Sequence, residues 1–511
     1  MTYDRRDWLT AAVLLLFVLI LAVCAVTPGI TDWGDDYAAY INEGMAIADG
    51  RFQEQTALNY EQHPSALTRE ARDNRLVYVW GYPLAQALVY KLAGFDRVNY
   101  TSVIWYKAPL VISLALLAGV LYLLLRRRFD WTVSAFLALL FCVSGSLYIE
   151  INRLYSDLMF LFVSSLALLL MECYADHSEN MILGLGYGIA VWLTHETRLN
   201  GMAICAAAAL GHVCRQGKGF ISPKSLWRSL YPYMTFVLLC IVSEHLWLAP
   251  ATPNISDVGT ATGKEISNNL KFYWNLIFRY FSDLPGMTLP IVGYVMAALS
   301  ALGIVVKGFN RQNLYLTVLM FGTFVVLILL PYDQGLRYVF NCLPILLMYA
   351  VYGAQLVMIG VRKVLRGRKT VETVGLVLLY AIVAELLFFP CAAQAIRDYN
   401  NLTHWGEKDK YDVYTDEAIE AYRSVQANTP EDAVIAFVKP RALYMNTQRR
   451  SFNPGVNGHE LMDADYYLYC KLAYGDFPNI KPETVDGTAI MDNDWFTLIR
   501  LNHSGTQTRG R

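Results

Sequence analysis

Residues Trp8 to Val26 read WLTAAVLLLFVLILAVCAV, an uncharged run that follows Arg5 and Arg6 and precedes the polar stretch Asp32-Trp33-Gly34-Asp35-Asp36. A helix of about twenty apolar residues crosses the hydrocarbon core of a bilayer. The run is long for the apolar region of a signal peptide, and many similar runs follow it, so it reads as a signal anchor that is retained. Further apolar blocks lie near 103–125, 130–149, 156–174, 181–194, 199–214, 230–249, 288–306, 313–331, 339–359 and 371–391. Composition agrees: of 511 residues, 55% are hydrophobic and 17% charged, against about 25% charged in soluble domains. A formal net charge of -1 gives no sign of a nucleic-acid partner, and the nine cysteines form no CxxC pair, so neither a zinc site nor a disulfide framework is indicated.

Positive charge sorts the loops. Arg5 and Arg6, Arg126-Arg127-Arg128, the group Arg215, Lys218, Lys224 and Arg228, the pair Lys307 and Arg311, and the stretch from Arg362 to Lys369 fall on one side of the bundle, provided that about eleven helices span the bilayer. The positive-inside rule makes that side cytoplasmic, and its basic clusters read as loose surface charge. The other side receives the loop 29–102, the loop 250–287 and the tail 392–511. In loop 250–287, Ile266, Leu270, Tyr273, Trp274, Ile277 and Phe281 recur at helical spacing, as in a helix lying in the headgroup plane.

The tail is different in character. A charged helix is expected near Asp416 to Gln426, a strand over Ala433 to Val438, and two strands from Thr488 to Leu501 meeting at Asp492-Asn493. The chain therefore reads as an all-α polytopic membrane bundle with a small C-terminal α/β soluble domain. Residues 1–391 form the transmembrane domain with its long first outer loop, and residues 392–511 an extracytoplasmic domain.

Ionisable residues in or beside spans are costly and mark functional sites. They gather at the ends expected to face outward: Asp35 and Asp36; Glu150, Arg153 and Asp157; His195, Glu196 and Arg198; Glu244 and His245; Asp333 and Arg337; and Glu385. Carboxylates, arginines and histidines from distant segments could meet there in one cavity. Each has a plainer reading. Asp35 could cap the helix running toward Ala48, the arginines could snorkel to headgroups, Glu150 and Asp157 could pair with Arg153, and His195 could be a hydrogen-bonded turn residue. The sequons at Asn99, Asn254, Asn401 and Asn502 all lie in outer segments.

The pattern resembles the GT-C membrane glycosyltransferases, and most nearly the branch of protein mannosyltransferases and lipid A aminoarabinose transferases. The residues carrying the resemblance are Asp32-Trp33-Gly34-Asp35-Asp36-Tyr37-Ala38-Ala39-Tyr40 with Gly50, Trp80-Gly81-Tyr82-Pro83, Tyr155-Ser156-Asp157, Thr197-Arg198 and Gly335-Leu336-Arg337-Tyr338 before Pro344. The tail stretch Lys439-Pro440-Arg441-Ala442-Leu443-Tyr444 is similar to the outer domains of bacterial members.

The resemblance implies a GT-C-like fold and inverting transfer of a sugar from a polyprenyl phosphate to a cell-envelope lipid, glycan or protein at the outer face. For a bacterial protein, that face belongs to the inner membrane, with the N-terminus cytoplasmic. Such a reaction needs a carboxylate to take the acceptor proton and cations to stabilise the departing phosphate. The implied catalytic residues are Asp35 as base, Asp36 next, and Asp157 as an orienting group. Some relatives carry a lysine before the proline motif, where this chain has Tyr78-Val79-Trp80. Phosphate contacts then fall to Arg198, Arg337 and Arg153, and after them Lys107, with Glu150, His195 and Asp333 in support. Carboxylates beside a phosphate could also hold a divalent cation, although the sequence presents no ligand set. Two other classes compete. A transporter or flippase for lipid-linked glycans would place polar groups at the midplane in repeated halves. A polysaccharide polymerase or ligase would carry its large outer loop late in the bundle.

Overall fold

The structure is a computed structural model that describes residues 3–30, 33–62, 78–94, 98–222, 225–248, 259–284, 287–288, 290–364, 412–454, 461–471 and 480–502. The expected span 371–391 with Glu385, Asp32, Lys224, the sequons at Asn254 and Asn401, and the boundary between bundle and tail lie outside the described residues.

Each apolar block within the described residues is helical. The chain runs through α1 (Arg5–Cys24), α2 (Asp36–Ala48), α3 (Phe52–Gln62), α4 (Gly81–Ala93), α5 (Ala108–Arg126), α6 (Trp131–Cys142), α7 (Gly145–Arg153) and α8 (Asp157–Asp176). It continues with α9 (Met181–Thr197), α10 (Gly201–Gln216), α11 (Leu226–Cys240), α12 (Gly263–Ser282), α13 (Pro290–Gly303), α14 (Leu314–Ile328) and α15 (Leu343–Val364). Among the described residues, 6 helices are long and apolar enough to cross a membrane, or 7 if α6 and α7, bent by 45° at their junction, count as one span. Helices α9, α10 and α14 are shorter, at 17, 16 and 15 residues. A count of eleven rests on these three and on residues 371–391.

Close helix crossings rely on small residues, which let backbones meet in a solvent that offers helices no hydrophobic drive to associate. Where α13 crosses α15, a Cβ on Gly353 would lie 2.0 Å from the Leu299 carbonyl oxygen, and one on Gly303 would lie 1.9 Å from that of Tyr349. No other residue fits there.

The end of the bundle that carries the basic loops departs from expectation. Arg126, Arg127, Arg128 and Arg215 are not loose surface charges. Glu172 is fully buried and binds Arg128 at 2.6 Å and Arg215 at 2.9 Å, contacts Arg127, and accepts a hydrogen bond from Tyr315 at 2.6 Å. Arg126 pairs with buried Asp7 at 2.7 Å. A carboxylate inside α8 draws the guanidinium groups inward, because neither charge can be left unpaired away from water.

The tail carries α16 (Asp416–Asn428), α17 (Pro440–Thr447) and a small sheet. The bundle contains a short hairpin, β1 (Asp283–Leu284) and β2 (Met287–Thr288), and the tail strands are β3 (Val434–Ala436), β4 (Arg450–Phe452), β5 (Tyr466–Cys470), β6 (Gly487–Asp492) and β7 (Phe496–Leu501). Their order is β4-β3-β5-β7-β6, with β3 parallel to β4 and β5 and the β5–β7 and β6–β7 pairs antiparallel. Bundle and tail share a core. Trp33 packs against Phe437 and Phe496, and the Val413 amide donates to the Ile30 carbonyl at 3.3 Å.

The amphipathic segment in loop 250–287 is α12. Its face is split: Tyr273 and Phe281 are buried, while Leu270 and Trp274 are more than half exposed. Tyr273 Oη accepts the Gln334 amide at 2.8 Å, and Asn269 donates to the Leu330 carbonyl at 2.8 Å. The helix therefore anchors the loop that presents Arg337.

Candidate active site

Local structure aims the charged residues. Leu154, buried between α7 and α8, adopts φ 57°, a left-handed conformation that costs an L-residue about 1–2 kcal/mol. The reversal it makes places Ser156 and Asp157 at the start of α8. Gly34 lies directly beneath the Tyr155 hydroxyl, where a Cβ would come within 1.8 Å of the oxygen. The acidic pair can therefore approach α8 only over a glycine. Gly335 is followed by a short 3-10 turn, Leu336–Val339, that carries Arg337.

These segments bring together an alternating string of charges. Arg198 binds Asp157 at 2.8 Å and donates to Ser156 Oγ at 3.3 Å. Arg337 lies 3.8 Å from the other Asp157 oxygen and 3.8 Å from Asp36, with its guanidinium over the Tyr155 ring at 4.4 Å. The Tyr78 hydroxyl donates to Asp36 at 2.6 Å and accepts from Arg441 at 3.1 Å. Tyr40 adds a hydroxyl 3.2 Å from Ser156 Oγ. The string runs Arg198, Asp157, Arg337, Asp36, Tyr78, Arg441. It draws on α2, α8, the end of α9, two loops and the tail.

Asp35 occupies the N-cap position of α2, yet its side chain makes no capping bond to that helix. It turns to the tail. Its carboxylate accepts the amides of Arg441 at 3.3 Å and Ala442 at 3.0 Å, the second and third residues of α17. Lys439, at the N-cap of α17, offers no side-chain acceptor, so Asp35 satisfies orphan N–H groups that α17 cannot satisfy itself. Burial pushes the Asp35 carboxyl up, against the Arg441 and Lys439 charges and the two amides, which hold it down. Two turns farther along α2, Glu43 is fully buried and accepts from Asn59 at 2.6 Å and from the Tyr78 amide at 3.4 Å. Burial raises its carboxyl to about 8.

Of the residues expected from sequence, Asp35, Asp36, Asp157, Arg198 and Arg337 are brought together. Arg153 stays with Glu150 at 3.2 Å, one turn before the site. Lys107 is not among them. Its ammonium is buried against the Thr27 carbonyl at 2.6 Å and Asn152 at 3.0 Å. Asp333 is exposed on the loop before Arg337. His195 faces Glu244 at 3.0 Å. Sequence reasoning missed Tyr78 and Arg441 as members of the cluster. The signals available were the tail stretch Lys439-Pro440-Arg441, noted for its resemblance to outer domains, and Tyr78-Val79-Trp80, which stands where some relatives carry a lysine. A cleft of about 350 Å³ lies farther along α2 and α17, bordered by Arg51, Glu54, Gln55, Tyr444 and Arg450, and does not include the carboxylate–arginine string.

This fold is that of the GT-C membrane glycosyltransferases. Three solved structures carry the comparison. The chain is similar to ArnT from Cupriavidus metallidurans in the apo state, at TM-score 0.54 and 12% identity over 95% of this chain and 97% of that one. It is similar to the same protein bound to undecaprenyl phosphate, at 0.51 and 14% over 99% and 100%. The third is the archaeal oligosaccharyltransferase AglB from Archaeoglobus fulgidus, in complex with an inhibitory peptide and a dolichol-phosphate, at 0.53 and 12% over 89% and 69%. At these identities the likeness is one of fold. No protein-family model matches the chain, and no curated protein matches it in sequence.

Proposed function

We propose that the chain is a membrane glycosyltransferase that moves a sugar from a polyprenyl phosphate to a cell-envelope lipid, glycan or protein acceptor on the non-cytoplasmic face. The observation that carries this reading is the string Asp36–Arg337–Asp157–Arg198 at one end of the bundle. Two guanidinium groups spaced by carboxylates can hold a phosphate bidentately while a carboxylate takes a proton nearby. Fold neighbours with undecaprenyl phosphate or dolichol-phosphate bound support the donor class.

In the proposed reaction the acceptor hydroxyl oxygen attacks the anomeric carbon. Asp35 takes its proton, and the bond from that carbon to the phosphate oxygen breaks with inversion. Arg198 and Arg337 stabilise the charge that collects on the departing polyprenyl phosphate. The upward shift of the Asp35 carboxyl is the direction a general base requires. Asp36 holds Tyr78 and Arg337 in register, and Asp157 orients Arg198. A divalent ion, if bound there, would be held by the Asp36 and Asp157 carboxylates and would supply positive charge to stabilise the departing phosphate.

We propose eleven crossings, a cytoplasmic N-terminus and an extracytoplasmic tail, in a bacterial inner membrane. A reporter fused after Arg511 should read as external; a cytoplasmic signal would overturn the orientation. For the chemistry, Asp35→Asn should abolish transfer in protein that purifies as a folded monodisperse species, and full activity in that variant removes Asp35 as the base.

A further inference from the structure

Away from the arginine string, the ends of α9 and α11 bring together a second set of reactive side chains. His195 lies in the last turn of α9. Cys240 ends α11, and Glu244 follows in a π-helical turn, Ile241–Trp247, that extends it. One ligand atom from each of the three lies within 4.8 Å of the others. The His195 Nε2 atom is 3.0 Å from a Glu244 carboxylate oxygen.

The surroundings are built around this point. Glu196 accepts from Ser243 Oγ at 2.7 Å and from Trp192 Nε1 at 3.1 Å, and Trp192 also donates to Ser243 at 3.2 Å. These bonds fix the residue after His195 and the residue before Glu244. Phe236 packs edge-on against the His195 ring at 6.0 Å. The π-helical turn widens the helix where Glu244 must reach His195, and such turns recur at functional sites. A hydrogen-bonded His195–Glu244 pair explains two of the three residues. It leaves unexplained a thiol one turn before Glu244 on the same face.

We propose that His195, Cys240 and Glu244 bind a zinc-class divalent ion. One imidazole nitrogen, one thiolate sulfur and one carboxylate oxygen form a mixed donor set that suits zinc, which takes nitrogen, sulfur and oxygen in tetrahedral geometry. Magnesium and calcium require oxygen shells. The ion takes the place of the proton between His195 and Glu244, and the Cys240 thiol releases its proton to solvent on binding. A thiolate and a carboxylate then neutralise the dication, so that no net charge is left in a half-buried site. Three protein ligands leave one position for water. The ion clamps the last turn of α9 to α11, three residues before Arg198, which holds Asp157. The site is separate from the proposed sugar transfer and stands or falls without it.

The test uses the full chain, purified in detergent on a tag without histidines, incubated with zinc chloride and passed through a desalting column. Metal analysis should find one zinc per chain in the wild type and none above buffer in Cys240→Ser or His195→Ala. Zinc should also slow alkylation of Cys240 in the wild-type protein, followed by peptide mass spectrometry, and a chelator should restore it. This second readout does not depend on how the variants fold. Equal zinc in wild type and Cys240→Ser, or an unchanged Cys240 alkylation rate, would overturn the site. Zinc lost instead in Asp36→Asn and retained in Cys240→Ser would place the ion in the carboxylate–arginine cluster and equally refute this one.

Discussion

The carboxylate of Asp35 caps a helix that begins more than four hundred residues later, accepting the Ala442 amide at 3.0 Å and the Arg441 amide at 3.3 Å. One residue thus serves two ends: it opens the acidic pair of the first outer loop and closes the N-terminus of α17. Bundle and tail are joined at the centre of the proposed active site. The tail supplies Arg441 to the same cluster.

Removing this contact should loosen the tail before it unfolds the bundle. Asp35→Ala should destabilise the docking of α17 by about 1 kcal/mol, the usual loss of an N-cap. Limited proteolysis should then cut the tail of this variant faster than that of the wild type. Asp35→Asn keeps one acceptor oxygen and should resist better. Equal cleavage of Asp35→Ala and wild type would mean that the contact contributes nothing to docking.

Arg198 faces a carboxylate that is almost wholly buried. Taking the guanidinium away leaves Asp157 with Arg337 alone at 3.8 Å, so Arg198→Ala should lower stability by about 3 kcal/mol. It should also weaken donor binding more than acceptor binding. Arg198→Lys should restore stability better than donor affinity, because an ammonium cannot reproduce the planar fork. Donor affinity unchanged in both variants would take Arg198 out of the phosphate site.

Glu43 gives a pH prediction of defined sign. Its folded-state carboxyl is raised to about 8 from an ordinary value of 4.5, so between those values the folded state holds a proton that the unfolded state has lost. Stability should fall as pH rises through that window and level off above it. Glu43→Gln keeps the acceptor for Asn59 and has no charge to bury, so its thermal midpoint should lack that decline. Parallel pH profiles for variant and wild type would contradict the assignment.

At the opposite end, Glu172 holds three arginines. Glu172→Gln should leave buried Arg128 without its acidic partner, while Arg127 and Arg215 keep Asp176, and destabilise the bundle by about 3 kcal/mol, read as a lower thermal midpoint in detergent. A variant as stable as wild type would show that these arginines find other partners at no cost.

Much of the candidate cluster was legible because ionisable residues at the ends of apolar helices are rare and costly, which put Asp35, Asp36, Asp157, Arg198 and Arg337 among the candidates, alongside Glu150, Arg153, His195 and Asp333, which the structure places elsewhere. The partner of each was not legible. Lys107 has the same signature as Arg198, yet its ammonium is taken by the Thr27 carbonyl and Asn152. Arg127 and Arg128 look like any basic loop until Glu172, an isolated acid near the end of an apolar run, is seen beneath them. Arg441 and Tyr78 are ordinary in composition and meet only because the tail folds back onto the first loop. Cys240 is hidden in a hydrophobic stretch, and helical spacing alone gives no reason for a histidine on another helix to face it. In the tail, the helix beginning at Asp416 and the β6–β7 pair followed from local pattern. Strands β4 and β5 did not, because their pairing with β3 is set by tertiary packing.

The most direct test of the central claim is donor consumption. The purified protein, reconstituted in liposomes, is incubated with a panel of polyprenyl-phosphate sugars, and release of free polyprenyl phosphate is measured by mass spectrometry. The account predicts that at least one donor is consumed when envelope lipids, glycans or proteins are supplied as acceptors, and that consumption is lost in Asp35→Asn. Donor that crosses the bilayer intact, with no polyprenyl phosphate released, would contradict the account and identify a transporter.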